Sequence, residues 1–387
     1  MDFQLTEDQV QLQEAARRFA RGELLELALE LEEKNIAVPA GWRQKYAELG
    51  FLGINIPEQY GGLGLSHLDA LIVLEEFAQI SPAVAFPVFE SATGPIKTVL
   101  EFGSDTLKDR IVPKVVSGEI VVAVSMSEPE AGTALTDLKT KGRIEGDEIV
   151  ISGQKRWCSG GGHSDAYIVY CRLSDKPGAA GIGAVLVEKD RPGLTFGRNE
   201  ELMGFRGIPS SDIFLDNVRV PLDNQIVPAG GFAKLMGAFC LERCGNATMS
   251  LAIAAAALEE ALDYTNNRAQ FGKPIVEFQA VQLKLADMAM KVEASRLLNW
   301  RAAQDLNESG LPSISNSSIA KCFANEMVRD VANMGMQLLG GYGYSKEFKM
   351  EQRLRDAYGW GIAGGTIDIQ KVNIASSLVG RRFSQRS

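Results

Sequence analysis

The residues best suited to chemistry are carboxylates set among apolar neighbours and glycine-rich turns beside an arginine. Glu242 and Arg243 stand in FCLERCGNA, residues 239–247, among Phe239, Cys240, Leu241, Cys244 and Gly245. A carboxylate in such surroundings loses solvation, and its pKa rises toward that of a useful general base. The plainer alternative is a Glu on a solvated helix face, with Arg243 pointing elsewhere. Glu90, in PVFESATGPI at 87–96, is either exposed or functional, since Glu is seldom buried without a role. RAQFGKPI at 268–275 and QLLGGYGY at 337–344 offer a guanidinium fork for phosphate and glycines that admit close backbone approach. QLLGGYGY follows a helical pattern and spaces its glycines GGxG, so it is not the GxGxxG dinucleotide fingerprint. In GIAGGTIDIQ, 361–370, Gly364 and Gly365 interrupt a helical region where a helix former would be less costly.

Other chemistries are disfavoured. No Ser sits in a GxSxG elbow, and neither His67 nor His163 is placed to serve one. Cys240 and Cys244 could share a helix face, but with only two histidines in the chain a metal site is not expected. The five cysteines have no paired spacing, which fits reduced thiols and a cytoplasmic location. A net charge of −9 without a Lys/Arg block argues against nucleic acid or an anionic membrane as partner. The start, MDFQLTEDQVQLQEAARRFA, has no apolar core of the kind a signal peptide needs. The run LAIAAAALEEAL at 251–262 carries Glu259 and Glu260, and reads as a buried helix, not a membrane span.

The elements that must position these residues fall into successive regions. Helical periodicity runs through 6–33, 40–50, 66–80 and 91–117, with Thr6 and the acids Glu7 and Asp8 marking the first start. From about residue 120 short β-branched and aromatic runs alternate with Gly, Pro and Asp clusters, as in an antiparallel barrel or sandwich of roughly a hundred residues. The helical period then returns over 231–267, 275–306, 313–339 and 364–380, long enough for an antiparallel bundle. The expected architecture is α+β and multidomain. A helical domain (1–120) is followed by a β domain (121–230) and a four-helix domain (231–387).

SEPEAGT at 127–133, GQKRWCSGGGHSDAYIV at 153–169, RAQFGKPI, QLLGGYGY, RLRDA at 353–357 and GGTIDIQ at 364–370 occur in this order across that architecture. Together they closely resemble the acyl-CoA dehydrogenase family over essentially the whole chain. The resemblance implies FAD. Met126 and Ser127 would contact the pyrimidine side of the flavin, Trp157 would wall the ring, and Ser159 would donate to its reactive edge. Trp157 could equally be a core residue of the barrel. Arg268, Gln270 and Phe271 would reach the diphosphate of a neighbouring subunit's FAD, with Gln337, Gly340 and Gly341 near its adenosine part. Thr366 and Asp368, at the start of the last helix, complete the implied cofactor set. A shared site implies a homo-oligomer, typically a tetramer.

The family removes an α-proton from a CoA thioester with a base while a β-hydride leaves to the flavin. Many members carry that base in a Tyr-Glu-Gly-Thr loop. Here Ala363, Gly364, Gly365 and Thr366 match it, so Gly364 occupies the place of the usual Glu. A subset places its Glu on the first helix of the C-terminal domain, directly before an arginine, as Glu242 and Arg243 stand here. Glu90 falls on a helix that lines the acyl site in the family. It is an alternative base, a partner in a carboxylate pair, or a determinant of substrate polarity. Ala363, Gly364 and Phe239 would border the acyl group, and the small size of Ala363 and Gly364 suits a branched, cyclic or aryl substituent unless Tyr358 or Trp360 fills the room. Thr133 and Arg243 would hold the CoA portion. Ala134 replaces a familiar Asp, and Cys240 stands where an acid often contacts CoA. The implied electron acceptor is an electron-transfer flavoprotein. The sequence leaves open an enoyl-CoA reductase, oxidation of a carrier-bound acyl group, or a non-catalytic structural subunit.

Overall fold

A computed structural model describes residues 4–383. Helix α1 (Glu7–Lys34) opens on a capping box: the Thr6 hydroxyl accepts from the Gln9 amide, and the Gln9 side chain returns to the Thr6 amide. Helices α2 (Ala40–Glu48) and α3 (His67–Ile80) follow where the periodicity placed them. The single helix expected over 91–117 is instead part of three: α4 (Pro82–Ala92), α5 (Pro95–Phe102) and α6 (Asp105–Val116). Ser81 caps α4 by accepting from the Ala83 amide, Gly94-Pro95 breaks the chain after it, and Ser104 caps α6.

The middle region is one sheet of β1 (Val122–Ser125), β2 (Lys141–Glu145), β3 (Glu148–Ser159), β4 (Ala166–Arg172), β5 (Ile182–Glu188), β6 (Leu194–Phe196), β7 (Ser210–Pro221) and β8 (Gln225–Val227). Its order is β6-β7-β3-β2-β4-β5-β8, with β1 added beside β4. The pairing is not wholly antiparallel: β1 runs parallel to β4, from Val122 opposite Ala166 to Ser125 opposite Val169. β1 arrives from the helical domain, not through a hairpin, so no tight turn dictates its direction. Residues 166–171 of β4 are buried without alternation, as expected of a strand covered on both faces.

Helix α7 (Phe232–Asn267) leads into a two-stranded hairpin, β9 (Ala269–Gln270) and β10 (Lys273–Pro274). Phe271 and Gly272 turn it at φ of 52° and 80°, the left-handed pair that such tight hairpins require. Then come α8 (Gln279–Gln304), α9 (Ile314–Leu339), α10 (Gly341–Tyr344), α11 (Met350–Gly359) and α12 (Ile367–Val379). The four long helices match expectation. Helices α10 and α11 do not, because glycines at 340, 341, 343, 359 and 361 obscure their periodicity. Helix α9 packs against α7, α8, α11 and α12. One core runs from α1, α3 and α4 into the bundle, joining Leu24, Phe77 and Val88 to Leu251 and Val328. All five cysteines are buried and unpaired.

Candidate active site

Helices α4 and α7 meet at Gly245, where an added Cβ would fall 2.9 Å from the Phe89 ring and closer still to Thr93. Glu90 and Glu242 each lie three residues before this contact on their own helices. Glu90 is buried, not exposed. No donor among the described residues reaches its carboxyl; burial holds it well above the usual carboxylate range, Arg43 opposes that, and Glu242 and Asp165 add to it. Glu242 keeps part of its surface accessible. Yet the protein packed around it pushes its carboxyl up to about 8, with Arg243 and Lys321 opposing. The fully solvated alternative does not hold for either residue.

Phe239, Glu242 and Asn246 share one face of α7, at i, i+3 and i+7. The loop after α11 lies against that face. A Cβ on Gly364 would sit 3.6 Å from the Phe239 ring and 3.7 Å from Asn246 Nδ2, ordinary contact distances. Position 364 therefore abuts the two residues that bracket Glu242. Gly364 and Gly365 both have positive φ, 65° and 89°, which is what two glycines supply here. Asn246 Nδ2 donates to the carbonyls of Trp360 and Ala363, each at 3.3 Å. Trp360 is buried, with its ring 4.6 Å from that of Phe205 and 5.6 Å from that of Phe89. Of the candidate fillers it is Trp360 that packs inside, while Tyr358 stays exposed beneath the Arg329 guanidinium.

Arg243 is buried, donates to Cys240 Sγ at 3.1 Å and lies over the Phe239 ring at 5.7 Å. Its Nε finds no acceptor among the described residues, so a donor remains for a ligand. Thr133 and Ala134 lie exposed in the loop after β1.

Met126 and Ser127 are brought against β3. The Ser127 carbonyl accepts from the Arg156 amide at 2.9 Å, and the Met126 carbonyl accepts from Lys155 Nζ at 2.9 Å. Lys155 is fully buried and also bridges to Glu128 at 2.9 Å. Burial works to raise the Glu128 carboxyl, but Lys155 and the amides of Thr140 and Lys139 outweigh it and hold it low. A bulge between Lys155 and Cys158 turns Trp157 out of the sheet at φ 61°. Trp157 is 54% exposed, with the Arg156 guanidinium 4.2 Å over its ring, so it is not a core residue. An outward aromatic face, the adjacent hydroxyls of Ser127 and Ser159, and the exposed backbone nearby suit a flat ring system with polar edges.

The remaining residues form a separate surface. Arg268, Gln270, Phe271, Gln337, Gly340 and Gly341 are exposed, Phe271 to 94%. Arg268 stacks over Tyr342 at 5.8 Å, which joins the two turns. Arg268 follows the far end of α7, 26 residues beyond Glu242, or roughly 39 Å along a continuous helix. It therefore cannot line the same pocket as its own Glu242. Thr366 caps α12, accepting from the Ile369 amide, and Asp368 is exposed in its first turn.

Sequence reasoning missed Lys321, Asn325 and Asn246, which brace the loop. The available signal was a Lys and an Asn four apart on the small-residue face of SSIAKCFAN at 317–325. It also missed Arg43, whose charge opposes the effect of burial on Glu90, because helix α2 is remote in sequence.

Models of the acyl-CoA dehydrogenase N-terminal, middle and C-terminal domains match residues 6–119, 123–218 and 229–379. The chain belongs to the acyl-CoA dehydrogenase family, whose members are FAD-dependent oxidoreductases. It is 37% identical to the 3-sulfinopropanoyl-CoA desulfinase of Paraburkholderia xenovorans, over 99% of each chain. It is 36% identical to the cyclohex-1-ene-1-carbonyl-CoA dehydrogenase of Syntrophus aciditrophicus, over 97% of this chain and 91% of that one. Among solved structures, a glutaryl-coenzyme A dehydrogenase in complex with glutaryl-CoA superposes with a TM-score of 0.94 at 34% identity, covering 100% of this chain and 99% of that one. No helix among the described residues is long and apolar enough to cross a membrane.

Proposed function

We propose that the protein dehydrogenates an acyl-CoA thioester at its α and β carbons, with Glu242 as the base that takes the α-proton. The observation that carries this reading is the contact of position 364 with Phe239 and Asn246, the residues on either side of Glu242 on one helix face. A carboxylate reaching in from α7 serves the space that one on the loop would otherwise serve. Its pKa of about 8 suits abstraction of a weakly acidic proton near neutral pH.

FAD, when bound, supplies the hydride acceptor. Met126, Ser127, Trp157 and Ser159 would hold its ring, and Thr366 and Asp368 would complete the set of residues that bind it. Arg243 and Thr133 hold the CoA portion. Phe239, Ala363 and Gly364 border the acyl group and orient its α-carbon toward Glu242. Deprotonated Glu242 accepts the α-proton at a carboxylate oxygen as the β-hydrogen departs. The surrounding apolar residues exclude water from the reacting carbons.

The acyl group is branched, cyclic or aryl-substituted. The absence of side chains at 364 and 365, and a relative named for a cyclohexene thioester, favour this class. Arg268, Gln270, Phe271, Gln337, Gly340 and Gly341 complete the FAD site of a second copy in a homotetramer, which fits their distance from Glu242. Electrons leave to an electron-transfer flavoprotein, and the enzyme works in the cytoplasm.

A second reading makes Glu90 the base. Its buried, unpartnered carboxyl within electrostatic reach of Glu242 favours it. Anaerobic bleaching of the flavin band separates the two. The thioesters would be linear, α-branched and aryl-substituted acyl-CoAs, with cyclohex-1-ene-1-carbonyl-CoA and 3-sulfinopropanoyl-CoA. Bleaching by one class, lost in Glu242→Gln and kept in Glu90→Gln, supports Glu242; the reverse pattern transfers the role. Flavin that no thioester bleaches counts against dehydrogenation of CoA esters.

A further inference from the structure

Lys321, on α9, is fully buried without a carboxylate in hydrogen-bond contact. Its ammonium donates to Asn325 Oδ1 at 2.9 Å, to the Trp360 carbonyl at 3.0 Å and to the Gly365 carbonyl at 3.0 Å. An ammonium has three donors, so all are committed to neutral oxygens. Two of those oxygens close the ends of the loop that carries Gly364: Trp360 ends α11, and Gly365 precedes the cap of α12. Asn325 in turn donates to Asn246 Oδ1 at 3.0 Å and to Ser250 Oγ at 2.8 Å. Asn246 returns to the Trp360 carbonyl that Lys321 also holds. The network thus ties α9 and the Gly-Gly loop to the turn of α7 directly after Glu242.

We propose that Lys321 is a positioning residue for the reaction: its hydrogen bonds fix the loop against the Glu242 face of α7. This rests on Glu242 being the base. The charged and titratable groups facing this region are Arg243 on α7, Arg329 and Cys322 on α9, Glu90 on α4 and Tyr170 on β4. Burial brings the Lys321 ammonium down to about 7, with Arg243 acting the same way and Glu242 opposing. A neutral Lys321 amine keeps two of its donors, so the brace does not depend on the charge.

The test uses the FAD-loaded enzyme and the best thioester from the bleaching panel. Lys321→Gln keeps hydrogen-bond donors and removes the charge; Lys321→Met removes both. The expected result for Lys321→Gln is retained flavin and a KM within about threefold of wild type. Its kcat falls only a few-fold. Lys321→Met should retain flavin and a similar KM but lose roughly tenfold in kcat. A kcat equal to wild type in both variants, or a KM that rises in step with the loss of kcat, overturns the proposal. So does failure of both variants to bind flavin, which would assign Lys321 to folding alone. Glu242→Gln run in parallel separates the premises. If it stays active, the base assignment fails; if it is inactive while Lys321→Met keeps the wild-type kcat, only the Lys321 proposal fails.

Discussion

A Cβ placed on Gly245 would fall 2.2 Å from the Thr93 hydroxyl oxygen. That hydroxyl is already fixed, donating to the Phe89 carbonyl at 2.9 Å, and both residues are buried. Helix α7 therefore presents bare backbone at Gly245 to the Thr93 and Phe89 side chains at the end of α4, and this contact sets the separation of Glu90 and Glu242. Gly245→Ala must push the helices apart or tilt them. Overpacking of this kind costs about 1–3 kcal/mol, and a shift near 1 Å at a reacting carboxyl costs on the order of a hundredfold in rate. Thermal unfolding and kcat should both fall. A Gly245→Ala variant with wild-type rates would mean that the carboxylates tolerate displacement, and that the crossing serves packing only.

Replacing Glu242 by Gln should lower kcat by roughly 10²–10⁴, the range that a positioned base contributes. The structure also offers a way back. Position 364 has space for a Cβ at ordinary contact distance from Phe239 and Asn246, and its strain comes only from φ of 65°. A left-handed non-glycine residue there costs about 1–2 kcal/mol. The Glu242→Gln, Gly364→Glu double variant should regain a part of the lost rate, of order tenfold, and prefer less branched thioesters. Rates equal to Glu242→Gln alone would show that the loop and the helix do not serve the same space.

Much of this arrangement was legible in the sequence, and the exceptions have physical causes. The helix start at Thr6 and the four long helices were readable because periodicity, caps and local motifs are short-range signals. The burial of Glu90 was not, since it depends on α7 closing over α4 across more than 150 residues of chain. Lys321 was illegible for a related reason: its acceptors are mostly backbone carbonyls of Trp360 and Gly365, and every residue carries one. The bulge that turns Trp157 outward left no mark either, because a left-handed non-glycine residue looks like any other in sequence.

Trp360 packs inside the fold next to the small residues at 363–365 without filling the position beside Gly364, whose nearest neighbours are Phe239 and Asn246. Its indole is 3% exposed and wedged between Phe205 and Phe89. Trp360→Ala should destabilise the fold by about 3–5 kcal/mol, as large aromatic truncations do. In the surviving enzyme the preference should shift toward bulkier acyl groups, read as relative kcat/KM across the thioester panel. Trp360→Phe separates the effects: it should restore most of the stability and leave the preference intermediate. A truncated variant with unchanged preference would place the indole in the core and away from the acyl group.

His67 ties the first helical region to the loop between α8 and α9. One ring nitrogen contacts Asn55 Nδ2 at 3.0 Å and the other lies 3.1 Å from the Gly310 carbonyl. Asn55 Nδ2 can only donate, so Nδ1 accepts and the ring is neutral, with Nε2 donating to Gly310. Burial lowers its pKa from 6.5 to about 4, with nearby Lys97 acting the same way and the Gly310 carbonyl opposing. The unfolded chain then binds more protons than the folded one between those values. Stability from this group is present above pH 6.5 and is lost as the pH falls through 4. The difference of about 2.5 units corresponds to roughly 3 kcal/mol. Urea unfolding at pH 7.5, 6, 5 and 4 should show that loss in wild type. In His67→Gln the loss over the same window should be smaller by a similar amount, with lower stability at pH 7.5. Parallel pH dependences in the two proteins would remove His67 as the source.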